Sequence, residues 1–175
     1  MKYKWCGANK PKVEGSIPSP GTKIMFLSVH GTIGLIIGKY CQNPILAFFL
    51  GLISHYCCDM IPHGDTRAPK KYNNLIYWGL AGIIDLSILS VTLLSLFIFN
   101  KIDIYNPNLS AAFLGSVLPD FLLLAYFLSD KKLFILPFKL HNFFHNLISK
   151  KYEINLHLGL ALQFILFIIL LTILI

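Results

Sequence analysis

The chain has 175 residues, 55% of them hydrophobic and 13% charged, with a positive mean hydropathy; this mix lies outside that of soluble domains and points to a membrane protein. The formal charge of +7 is spread along loops beside apolar segments and forms no basic stripe with interleaved aromatics, which argues against nucleic acid and for anionic headgroups of the inner leaflet as the basic partner.

Residues 1–23 are polar, lysine-rich and broken by Pro11, Pro18 and Pro20. They lack the apolar core of a secretory signal peptide and read as a basic cytoplasmic tail, expected to be disordered. Residues 24–175 read as a single helical membrane domain. The first apolar segment, 24–38, carries His30 ~9 Å from its start at the helical rise, beside a ridge of Gly31, Gly34 and Gly38. The second, 44–61, ends in SHYCCDMIPHGD, where His55 and Asp59 stand four residues apart, on one helix face. Pro62 stops that helix, and His63 and Asp65 follow; Asp65 also suits a turn or cap.

The third segment, 75–99, is long enough to cross a bilayer and holds a single ionisable residue, Asp85, ~15 Å deep, after Gly79 and Gly82. The fourth, 109–128, contains GSVLPD, with Pro119 directly before Asp120, so that a freed carbonyl and a kink adjoin the acid. A shorter helix at 133–149 is too polar to span; in HNFFHN it repeats the four-residue spacing with His141 and His145, and Phe138, Phe143, Phe144 and Tyr152 read as its interface anchors. The last segment, 156–175, has only His157, without a partner at helical spacing, which reads as structural.

The expected fold is all-α: a polytopic membrane helix bundle of about five transmembrane helices, the first two short or polar for a span, plus the interfacial helix. Of the 15 Lys and Arg residues, only Lys39 and Lys101 fall on the face opposite the amino terminus. The positive-inside rule therefore places the amino terminus, the 62–74 loop and the 129–155 segment in the cytoplasm of an inner-membrane protein, with the carboxyl terminus outside. Cys6, Cys41, Cys57 and Cys58 show no paired spacing and read as apolar fillers. Asp103, Asp130 and Glu153 read as solvated loop residues.

Ionisable groups inside a bilayer are costly, and each is a functional candidate. Here they all map to the cytoplasmic half, although the topology rests on lysine and arginine alone. The candidate metal ligands are His30, His55, Asp59, His63, Asp120, His141 and His145, and Asp85 and Asp120 are the candidate catalytic acids. Imidazole and carboxylate without thiolate suit a divalent metal, zinc first, with manganese or iron as alternatives, as one or two ions. Such a site activates water, with a carboxylate taking the proton during attack on an ester or phosphoester. Two other classes stand beside a hydrolase. A metal-ion transporter would carry ligands along both halves of the membrane, and a non-catalytic structural or partner-binding protein would tolerate loss of the histidines. Membrane di-iron oxygenases fit less well, because no HxxHH box accompanies HNFFH, and a serine hydrolase lacks its Gly-x-Ser-x-Gly elbow.

SHYCCDMIPHGD, GSVLPD and HNFFHN together resemble the inner-membrane metal-dependent hydrolases described as LexA-binding, which have features similar to zinc-dependent phospholipase C. The resemblance covers roughly residues 30 to 146. It implies a hydrolase in which His30, Asp120, His141 and His145 carry over as metal residues, and in which His55, Asp59 and His63 match the family's first histidine-and-acid cluster. The chain departs from the family at Asn142 and Asn146, where the late motif reads His-Arg followed by Thr-His-Ser, so an arginine that would grip phosphate is missing.

Overall fold

The computed structural model describes residues 26–64, 75–129, 133–152 and 154–175; the expected basic tail, Asp65, Arg67, Asp130 and Glu153 lie outside these. Six α-helices and no strand occur among the described residues: α1 Leu27–Tyr40, α2 Pro44–Asp59, α3 Leu75–Ile98, α4 Pro107–Leu128, α5 Ile135–Tyr152 and α6 Leu156–Leu174.

Helix starts follow local chemistry. In α2 and α4 a proline, Pro44 or Pro107, occupies the opening position, and the preceding Asn43 or Asn106 accepts from the first free N–H groups. Asn155 does the same for α6 through Leu158 N. At the start of α1, Phe26 supplies no side-chain cap.

Among the described residues, three helices are long and apolar enough to cross a membrane: α3 over Gly79–Ile98, α4 over Pro107–Leu128 and α6 over Leu156–Leu174. The expected count of about five is therefore met for three, since α1 with 14 residues and α2 with 16 fall below the ~20 residues that span the hydrocarbon core. Even so, α2 turns Ile45, Leu46, Phe49 and Ile53 outward, all exposed.

Helix α4 lies at the centre, packed most extensively against α2 and then α1; α3 and α6 flank α1, and α5 crosses one end against α4 and α2. Small residues set these distances. A Cβ on Gly51 of α2 would collide with the Ala112 carbonyl of α4, and one on Gly115 of α4 would collide with the Phe48 carbonyl of α2. Gly34 and Gly38 bring α1 equally close to Ser116 and Leu109 of α4. The Gly79 and Gly82 pair differs from expectation: among the described residues, a Cβ added at either would meet nothing within 4 Å.

The interior is inverted relative to a soluble protein. One end holds a hydrocarbon cluster of Leu35, Leu96, Ile102, Leu109 and Leu174, where Lys39 Nζ also donates to the Leu174 carbonyl at 2.6 Å. Toward the other end, the large buried side chains include His30, His55, His63, His141 and His145. Meanwhile Leu80, Ile83, Ile84, Val91 and Leu94 of α3 face outward. Burying ionisable groups while exposing hydrocarbon lowers free energy only where the surroundings are lipid.

Candidate metal centre

The centre grows from the last turn of α2. His55 Nδ1 donates to the backbone carbonyl of Ser116 on α4 at 2.7 Å, which keeps the proton on Nδ1 of the neutral ring and turns the Nε2 lone pair inward. Pro119 lies three residues beyond Ser116 and has no N–H of its own for the helix ladder, so α4 carries its kink-prone position beside the carbonyl that orients His55.

Around that Nε2 the other groups converge. His55 Nε2 is 3.1 Å from Asp59 Oδ2, His141 Nε2 of α5 is 3.2 Å from the same oxygen, and His30 Nε2 of α1 is 3.2 Å from Asp59 Oδ1. Asp120 Oδ1 of α4 lies 3.6 Å from His141 Nε2 and 3.8 Å from His55 Nε2. The His30 and His55 rings stack at 4.0 Å. Two ring contacts fix α5 in place, Tyr56 against Phe144 at 4.9 Å and Tyr126 stacked on Phe138 at 4.1 Å. Of the four aromatics read as interface anchors, Phe138 and Phe144 therefore lock α5 to the bundle, whereas Phe143 and Tyr152 do stand exposed.

These contacts lack hydrogen-bond geometry. Nε2 of His30, His55 and His141 and both oxygens of Asp59 and of Asp120 are buried without a hydrogen-bond partner. Each such group left unpaired costs ~1–3 kcal/mol, and native interiors avoid this. A cation satisfies inward lone pairs from several side chains at once. With metal–ligand bonds of ~2.0–2.2 Å, adjacent tetrahedral ligands lie ~3.3–3.6 Å apart and octahedral ones ~2.8–3.1 Å; four of the observed separations, 3.1 to 3.6 Å, lie within these outer limits, and the fifth, His55 to Asp120 at 3.8 Å, lies just beyond them. Two overlapping sets, His30–His55–Asp120 and His55–Asp59–His141, each bring one ligand atom per residue within 4.8 Å of the others. The residues fit a divalent cation held by nitrogen and oxygen, with Cys57 exposed and Cys58 outside both sets. Asp120, 11% exposed at its side chain against 0–2% for its neighbours, marks the open side.

Three of the sequence-derived candidates stand elsewhere. Asp85, read there as a catalytic acid, accepts from Leu27 N, Ser28 N and Ser28 Oγ. It is the missing cap of α1, reaching across from α3 and fixing the first turn of the helix that carries His30. His63 and His145 face each other at 3.1 Å between their Nε2 atoms, outside both convergent sets. His157 is exposed.

Gln163 is a participant that sequence reasoning missed. Buried in the strongly apolar α6, it accepts from Phe26 N at 2.7 Å and donates to the His63 carbonyl at 3.4 Å, tying the start of α1 to the segment after α2. Its signal was available, since it is the one amide side chain in that helix.

Comparison with known proteins gives no family model, no curated protein and no solved structure that matches this chain.

Proposed function

We propose that the protein is an integral membrane metal-dependent hydrolase, with its centre at the cytoplasmic face of the inner membrane and a lipid or other phosphoester reaching it from the inner leaflet. The observation that carries this reading is the convergence of buried, unpartnered lone pairs from His30, His55, Asp59, His141 and Asp120 in two overlapping sets that share His55. His55 and His141, with Asp59 between them, would hold the ion, zinc being the first choice for this donor set. A bound divalent ion supplies Lewis acidity and acidifies water for attack on an ester.

The protein's own contribution is to hold that chemistry dry and oriented. The Ser116 carbonyl keeps the His55 ring in one tautomer, and Asp59 offers one oxygen to each side of the cluster. Asp120, the most exposed member, is positioned to accept the proton of the attacking water and to meet substrate first. The resemblance of SHYCCDMIPHGD, GSVLPD and HNFFHN to motifs of the inner-membrane metal-dependent hydrolases supports the same reaction class.

The distribution of lysines supports five crossings, α1 to α4 and α6, with the amino terminus inside. Transport is disfavoured by the hydrocarbon cluster at the opposite end of the bundle, which offers no ligand along a continued path.

The first test is metal content by inductively coupled plasma mass spectrometry on detergent-purified protein. The expected result is at least one equivalent of a transition metal, sharply reduced in His55→Ala and His141→Ala, followed by metal-dependent release of product from inner-leaflet phospholipids. A protein that binds no zinc, manganese or iron after reconstitution is not a metallohydrolase.

A further inference from the structure

Tyr56 follows His55 on α2 and is half-buried at the edge of the centre. Its ring meets His55 edge-on, with centroids 5.5 Å apart at 85°, and lies against Phe144 of α5 at 4.9 Å and 31°. It is therefore wedged between α2 and α5, the helices that carry His55 and His141. Phenylalanine would make both contacts, so packing accounts for the ring and leaves the hydroxyl unexplained. A phenol oxygen withdrawn from water usually finds a hydrogen-bond partner. Among the described residues this one has none, and Asp59 and Asp120 are the charged neighbours that act on it.

The chemistry of the centre gives that hydroxyl a task. The histidines and aspartates gathered there offer lone pairs to a cation. A phosphoester brings more than one negatively charged oxygen, and those that the cation does not take need hydrogen-bond donors. Among the described residues, each ion pair at the centre joins a histidine to Asp59 or Asp120, and no lysine or arginine takes part. The amine of Lys39 is committed to the Leu174 carbonyl at the opposite end of the bundle, and the one arginine of the chain, Arg67, lies outside the described residues. The Tyr56 O–H is a donor without a commitment, beside the centre whose open side Asp120 marks.

Building on the hydrolase reading, we propose that Tyr56 is a substrate-binding residue whose hydroxyl donates to a non-bridging oxygen of a phosphoester, and that this bond favours phosphoesters over carboxylic esters. A carboxylic ester has a single carbonyl oxygen, which the ion polarises. A phosphoester has a further oxygen for the phenol.

Inorganic phosphate is the probe, read through the visible spectrum of full-length, cobalt-substituted protein in detergent. Tyr56→Phe keeps the ring and deletes the hydroxyl, so its cobalt content and its unfolding temperature without phosphate should match wild type. Its phosphate dissociation constant should rise by about 10–100-fold, the loss expected for one hydrogen bond to a charged group. The dissociation constant of chloride, which occupies the ion and offers no second atom, should stay unchanged. Equal phosphate affinity in the two proteins overturns the role of the phenol and leaves the hydrolase reading intact. Loss of cobalt or of chloride affinity in Tyr56→Phe also overturns it, since the residue then only packs the centre. Cobalt binding in wild type with no response to phosphate removes phosphoesters as the substrate class, and the Tyr56 contact with them, while the metal centre stands. A wild type that binds no cobalt overturns both readings.

Discussion

His55 Nε2 stands 3.1 Å from Asp59 Oδ2, one helical turn further along α2, with both side chains wholly buried. A carboxylate and an imidazole that close, without the geometry of a hydrogen bond, are spaced as two ligands of one cation would be. Asp59 also faces His30 and His141, so it is the residue whose charge the cluster most depends on. Asp59→Asn keeps the shape and removes the anion. Zinc affinity should fall beyond the ~10–100-fold that a merely supporting residue costs, as measured by competition with a chromophoric chelator.

Chelation should destabilise the fold itself, because the ligands come from four helices. Binding confined to the folded state contributes RT ln(1 + [L]/Kd), ~2.7 kcal/mol when free zinc is 100 times Kd. The thermal unfolding midpoint in detergent is expected to drop on treatment with a strong chelator and to return with zinc. His55→Ala should show no such response.

Asp85 offers a sharper test of positioning. Its carboxylate receives the opening N–H groups of α1 from another helix, two residues before His30. Asp85→Ala should weaken zinc binding by ~10–100-fold, the range for residues that orient a ligand. Asp85→Asn, which keeps an acceptor oxygen, should restore most of it. The visible spectrum of the cobalt-substituted protein should shift in Asp85→Ala and not in Asp85→Asn.

The contact between α2 and α4 leaves no room for a methyl group. Gly51→Ala forces these backbones apart where His55 reaches the Ser116 carbonyl, and overpacking of this kind costs ~1–3 kcal/mol. Both a lower unfolding temperature and reduced metal content are expected. Gly79→Ala, in open space, should change neither.

The proposed topology predicts the behaviour of reporter fusions. Alkaline phosphatase joined after Lys101 should be active, and joined after Tyr152 inactive. The reverse pattern would place the centre on the outer face.

Much of this arrangement was legible in the residues. Apolar runs marked the long helices, because membrane length leaves little compositional freedom. The four-residue spacings of His55 with Asp59 and of His141 with His145 placed each pair on one face, since helical geometry is local. What spacing could not convey was which partner each face meets. His145 lies on the same side of α5 as His141 yet pairs with His63, because the Gly64 turn and Gly159 of α6 steer that segment toward it. Asp85 was visible as a buried acid, but the uncapped start of α1 that it serves lies 58 residues away in sequence. Gly51, Gly115 and Gly159 look no different in the sequence from Gly79 and Gly82, and only the course of neighbouring backbones separates glycines in contact from glycines in the open.

Ligands drawn from α1, α2, α4 and α5 impose an order on biogenesis. Each apolar helix enters the bilayer on its own hydropathy, whereas the polar groups it carries into the membrane find their common partner only after α5 has emerged from the ribosome. Until then His30, His55 and Asp59 are carried by helices already made, without the α5 histidine that Asp59 faces. Under the proposed function, metal supply would then act as a checkpoint on assembly, and a chain made without the ion would be inserted but unfinished.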